Sequence, residues 1–180
     1  MIRLFSALSL PPEIAETLIQ RQSGLAGAPW RPPESLHITL RFFGEIAETT
    51  ADDLDAELSR VSGETLTLEL QGVGAFGDGG DIDAVWAGVA ENAALRQLAR
   101  RCETAARRAG LKADARSYRP HVTLAYLSGA DPASVAAWIQ AHNLLRSPPF
   151  RIDAFGLYSS RLGSEGARYR LERRYGLRGS

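Results

Sequence analysis

Two short segments of this chain echo each other: His37-Ile38-Thr39-Leu40 and His121-Val122-Thr123-Leu124. Both read as β-strand, because β-branched and aliphatic residues dominate them. Side chains two apart in a strand share a face. Each segment therefore sets an imidazole and a hydroxyl on one face and two aliphatic side chains on the other. No other pattern in the chain constrains the fold as much: each strand needs an apolar core behind it and open space in front. Threonine fills only 8 of 180 positions, so composition does not explain its place two residues after two of the three histidines. If the strands face each other, one cleft receives two imidazoles and two hydroxyls in mirrored positions.

The rest of the chain frames the two strands alike. Residues 2–10 read as a first strand, closed by Pro11 and Pro12. These prolines open a helix over 12–22, since proline in a helix's first turn loses no hydrogen bond. A Pro- and Gly-rich loop leads to the His37 strand, then to a helix over 49–62 that Thr49 or Thr50 is expected to cap. Period-two alternation over 64–76 predicts a single strand with one buried face, turned by GDGGD into a hairpin partner at 82–90. The second half runs likewise. A long helix from Asn92 to about Ala109 ends at Gly110, and the His121 strand follows. A helix over 131–143, capped by Asp131, leads to strands over 150–160 and 167–177. Helix, histidine strand, helix, strand, strand thus occurs twice, over roughly 11–90 and 91–178. The expected fold is one α+β domain, 1–180, built as an internal duplication in two lobes about a pseudo-twofold axis.

Histidine titrates near neutrality, with an ordinary pKa of about 6.5, so one ring can be neutral while the other is protonated. That combination suits in-line displacement at phosphorus. One imidazole takes a proton from the attacking water and the other protonates the leaving oxygen, each contributing about 10²–10⁴-fold. Thr39 and Thr123 are placed to donate hydrogen bonds to non-bridging phosphate oxygens. The scheme calls for no metal and no cofactor. A single strand histidine is usually a core residue satisfied by a backbone carbonyl, and the matched pair argues against that fate. Zinc takes three or four ligands, and neither a nearby cysteine nor an HExxH accompanies these two. The chain has no GxSxG, and GVGAFG precedes no helix. His142 lacks a threonine partner and reads as a helix-terminal residue.

Weaker candidates surround the pair. Arg119 lies two residues before His121 and shares its face if the strand already begins there, ready to neutralise a phosphate. Strict alternation puts Phe43 on the face of His37. Phe43, Phe76 and Tyr126 are candidates for stacking on a terminal base. Tyr158, Ser160 and Arg161 are candidates for the rim of the site.

Formal net charge is zero, but residues 1–90 hold 5 arginines against 14 acids, and residues 91–180 hold 16 basic residues against 7 acids. A basic half attracts phosphates, although LRQLARRCETAARRAGLK also reads as a solvated amphipathic helix. A lone cysteine, Cys102, and no apolar run of bilayer length or leader lead us to expect a cytoplasmic protein.

Across RLFSALSLP, LHITLRFFGE, LQGVGAF, VWAGV, RPHVTLAY and LYSSRLGSEGARYRLERRY, nearly the whole chain resembles the two-histidine (2H) phosphoesterase superfamily. It is most similar to the bacterial and archaeal RNA 2′,3′-cyclic phosphodiesterase branch, whose members were first named 2′-5′ RNA ligases. Both copies of that family's HxTx motif are intact, as HITL and HVTL. The resemblance implies a bilobal fold of two antiparallel sheets, each backed by helices, around a central cleft. It also implies hydrolysis of a terminal 2′,3′-cyclic phosphate to a 2′-phosphate without metal or nucleotide cofactor, with His37 as proton donor and His121 as proton acceptor. The near-symmetric motif does not itself orient the substrate. The expected partners are RNA ends bearing the cyclic phosphate, or nucleoside 2′,3′-cyclic phosphates, with no membrane and no obligate protein partner. A monomer is expected, because a duplicated cleft needs no second subunit. Joining RNA ends through a 2′-5′ linkage is the reverse reaction in the same site. A phosphate-gripping RNA- or nucleotide-binding module is the alternative without turnover, yet binding alone would favour Arg or Lys over two titrating histidines.

Overall fold

The computed structural model of the chain describes residues 1–178. The first strand, β1 (Ile2–Ser9), lies between two other strands and is buried without interruption from Leu4 to Leu8. It pairs antiparallel with β2 (His37–Ile46), and between them runs α1 (Pro12–Ile19), which begins at a proline as expected. Next comes α2 (Glu48–Leu58). It starts earlier than expected, from an extended Ala47 with no side-chain cap, so Thr49 and Thr50 lie within its first turn. Glu48 at the first position complements the helix dipole instead.

The single strand expected over 64–76 is two. β3 (Leu66–Leu68) and β4 (Leu70–Phe76) part at Glu69 and take different partners. The same happens in the second half, where β7 (Phe150–Ile152) and β8 (Ala154–Gly163) part at Asp153. β5 (Ala84–Val89) forms the expected hairpin with β4. Their turn needs Gly77, whose φ of +83° is left-handed and where a Cβ would meet the Asp81 carbonyl oxygen at 2.1 Å. Helix α3 (Ala93–Arg108) is capped by Asn92, whose side chain accepts from the Leu95 N–H at 2.9 Å. Helix α4 (Pro132–His142) is capped by Asp131 and ends on His142. Each such cap stabilises its helix by about 1 kcal/mol. Between them lies β6 (His121–Tyr126), and the chain closes with β9 (Gly166–Gly176).

The strands form a four-stranded sheet in the order β2-β1-β8-β9, a three-stranded sheet β4-β5-β6, and the pair β3-β7, all antiparallel. The fold is α+β, with each histidine strand at the edge of its own sheet. Read inward from those edges, β2-β1-β8 matches β6-β5-β4. The pair β3-β7 is self-complementary, Leu66 opposite Ile152 and Leu68 opposite Phe150, as a twofold axis through its middle requires. In chain order that match sets β1–β4 against β5–β8, and the two units interleave: β4 of the first joins the His121 sheet, while β8 of the second, followed by β9, joins the His37 sheet. Helix α3 packs on α2 and on β2, where Glu103 pairs with Arg41, and α4 packs on β4. One continuous apolar core underlies both sheets, and it contains Cys102, whose burial pushes its thiol up to about 12. No helix among the described residues is long and apolar enough to cross a membrane.

Candidate active site

On β2, Ile38 and Leu40 are buried while His37 and Thr39 are half-buried on the opposite face. On β6, Val122 and Leu124 are buried while His121 and Thr123 are half-buried opposite them. Each imidazole is tethered identically, to the carbonyl two residues earlier. His37 Nδ1 lies 2.8 Å from the Ser35 oxygen, and His121 Nδ1 lies 2.6 Å from the Arg119 oxygen. A carbonyl only accepts, so the proton sits on Nδ1 and the neutral ring offers Nε2 as a bare acceptor. When protonated, the same Nε2–H donates. Either ring is thus built to act as base or acid through Nε2.

The two strands meet across the interface of the sheets. β2 touches β6, and the Tyr118 hydroxyl donates to the Thr39 carbonyl at 2.8 Å. The His121 charge is the least of the influences that bear on the protonation of His37. Around His37, Phe5 lies at 4.9 Å between ring centroids and Tyr169 packs edge-on at 5.1 Å, with Tyr158 stacked on Phe5 at 5.5 Å. Around His121, Phe76 packs edge-on at 4.8 Å and Trp86 lies at 6.2 Å. Burial lowers the pKa of His37 to about 4; its bond to Ser35 opposes this, and the charges of Arg31 and His121 add to it. Burial also lowers that of His121, with its bond to Arg119 opposing and the Arg119 charge adding. Both rings are therefore predominantly neutral at pH 7. No group of three or more His, Cys, Asp or Glu side chains among the described residues has the arrangement of a metal site.

The family model of the 2′-5′ RNA ligase superfamily matches residues 10–163. The chain belongs to the 2′-5′ RNA ligase superfamily. It is 29% identical over 172 residues to the RNA 2′,3′-cyclic phosphodiesterase of Archaeoglobus fulgidus, covering 94% of this chain and 97% of that one. It is 30% identical over 179 residues to the RNA 2′,3′-cyclic phosphodiesterase of Escherichia coli, covering 97% and 96%. Among solved structures, E. coli LigT complexed with 3′-AMP superposes with a TM-score of 0.77 at 29% identity, over 98% of both chains.

Within this superfamily fold the weaker candidates scatter. Phe43 does not share the His37 face: it is 7% exposed and belongs to the core. The β1–β2 register slips at Leu40, between the pairs Ala7–Thr39 and Ser6–Arg41, and this bulge inverts the alternation beyond it. Phe42, 36% exposed, takes the His37 face instead, with the Arg3 guanidinium 5.1 Å from its ring. β6 slips at the corresponding Leu124, which brings Tyr126, 55% exposed, to the face of His121. Arg119 precedes the strand and is exposed, its guanidinium 5.9 Å from the Phe76 ring. Ser160 lies within β8 opposite Tyr169, on the face of Tyr158, whereas Arg161 alternates to the other face. His142 packs on Trp138 at the end of α4, away from the pair. Sequence reasoning missed Phe5, Trp86, Tyr169 and Arg31. The first three sit on strands that flank the histidine strands or close the sheet, so a pairing scheme would have found them. Nothing local marks Arg31.

Proposed function

We propose that this chain hydrolyses 2′,3′-cyclic phosphates at RNA ends to 2′-phosphates, with His37 and His121 as the acid–base pair. The observation that carries this reading is the pair of half-buried imidazoles, each fixed through Nδ1 and each seconded by a threonine on its own strand. Water attacks phosphorus while His121 Nε2 accepts its proton. The bond from phosphorus to the 3′-oxygen breaks as His37 Nε2–H protonates that oxygen, leaving phosphate on the 2′-oxygen. Thr39 and Thr123 hydrogen-bond the non-bridging oxygens, where charge grows in the transition state. With a pKa of about 4, His37 becomes an acid only once the anionic phosphate raises it. Arg119 supplies positive charge beside His121, while Tyr126 and Ser160 contact the nucleotide at the margin of the cleft.

The same reading takes the chain as two diverged copies of one unit, supported by the shared motif, its shared tether and its shared bulge. The bounds move from 11–90 and 91–178 to about 2–76 and 84–163, because β1 answers to β5 and β9 has no counterpart. It places the enzyme in the cytoplasm, where its one thiol stays reduced. The test is incubation with nucleoside 2′,3′-cyclic phosphates and with RNA carrying that end, in EDTA, followed by identification of the phosphate isomer. The 2′-phosphate is expected at undiminished rate. A 3′-phosphate product, or activity restored only by a divalent cation, overturns the scheme. Joined product with a 5′-hydroxyl acceptor would instead assign the reverse reaction.

A further inference from the structure

Arg31 lies in the proline-bounded loop before β2, outside either motif, yet it touches both histidine strands' surroundings. Its backbone N–H donates to the Leu124 carbonyl of β6 at 2.8 Å, and its own carbonyl accepts from Gln22 Nε2 at 2.8 Å. Its guanidinium donates through Nη2 to the Ala167 carbonyl of β9 at 2.9 Å, and its Cζ lies 5.4 Å from the Tyr169 ring centroid. The guanidinium rests against Gly166, whose φ of +102° makes the turn into β9. Tyr169 in turn packs edge-on against His37, and its hydroxyl feels both Arg31 and the Tyr126 hydroxyl at the end of β6. One residue thus ties the His121 strand, through its backbone N–H, to the aromatic wall of His37, through its side chain.

We propose that Arg31 is a positioning residue, a latch between the two sheets that fixes the separation and orientation of the two catalytic imidazoles. This rests on the phosphodiesterase reading above. Acid–base catalysis across one phosphorus needs both Nε2 atoms placed to within a fraction of an ångström, and a displacement of 1 Å costs roughly 100-fold in rate. A planar guanidinium donates in its plane to a carbonyl while its face lies on an aromatic ring; an ammonium is a compact point charge with no such face.

The experiment compares wild type, Arg31→Gln and Arg31→Lys on adenosine 2′,3′-cyclic phosphate, a substrate too small to need other contacts. It adds NMR titration of both imidazoles without substrate. For Arg31→Gln we expect kcat to fall about 10–100-fold with KM nearly unchanged. The His37 titration should move up from about 4 while that of His121 stays, since Arg31 acts on His37 alone of the two. Arg31→Lys, which keeps the charge, should lose most of the same kcat. Wild-type kcat in Arg31→Gln, or a raised KM with kcat intact, overturns the latch, as does full rescue by Arg31→Lys. If the Gln variant fails to fold, Arg31→Lys alone decides. Absent turnover in the wild type would sink the phosphodiesterase reading, and the His37 titration then still tests whether Arg31 governs that ring.

Discussion

The two histidine strands are alike in everything local and unlike in everything around them. Both tether Nδ1 to the carbonyl two residues back, both hide two aliphatic side chains behind the motif, and both bulge at its leucine. Yet His37 is enclosed by Phe5 and Tyr169 beside the Arg31 charge, whereas His121 faces Phe76 and Trp86 with Arg119 exposed nearby. Short-range chemistry fixes which nitrogen works. Long-range packing sets how tightly that nitrogen holds a proton, and so makes the two copies of one motif chemically unequal.

The largest expected effect tests the likeness. His37→Ala and His121→Ala should each lower kcat by about 10²–10⁴-fold while the protein stays folded by circular dichroism. Near-normal turnover in either variant breaks the pairing. The shared bulge is tested next, by stability. Phe43→Ala should cost about 3–5 kcal/mol in urea unfolding, as a core truncation, while Phe42→Ala on the His37 face costs far less. The reverse order would mean that alternation runs unbroken through β2. Thr39→Val and Thr123→Val should each lower kcat by about 100-fold, and an effect confined to one of them would show that only one hydroxyl reaches the phosphate.

The smallest effects sharpen the difference. With both pKa values depressed in the free enzyme, kcat/KM should be bell-shaped with its maximum below pH 6.5. The kcat profile should lie to the alkaline side, because bound phosphate raises both. A flat kcat/KM profile from pH 5 to 9 breaks the assignment. Stability follows the same shift. His37 titrates near 6.5 unfolded and about 4 folded, so the unfolded chain binds the extra proton between those values. Its contribution is therefore complete above pH 6.5 and is lost as pH falls towards 4, by about 2–3 kcal/mol. His37→Gln should flatten that slope in urea midpoints measured at pH 7 and 4.5. His121→Gln should flatten it less.

Much of this was legible in the chain. The motif faces, the proline and Asn92 or Asp131 helix starts, the Gly110 exit and the β4–β5 hairpin all depend on neighbours a few residues apart, and those neighbours are read directly. The strands over 64–76 and 150–160 read as continuous because alternation persists through Glu69 and Asp153. Only the choice of partner divides them. Phe43 was misplaced for a related reason: a bulge is a mismatch between two strands, and no single strand displays it. Arg31 carried no signal because its contacts lie on β6 and β9, about a hundred residues or more away.

From the chain alone came the imidazole and hydroxyl on each strand, their apolar backing, and hence the chemistry available to a phosphate. Folding decided that the two strands come into contact, which aromatic rings wall each imidazole, and how far each proton affinity falls. The dividing line is range: backbone geometry and alternation act over a few residues, whereas desolvation and field depend on whatever distant segments the sheets bring alongside.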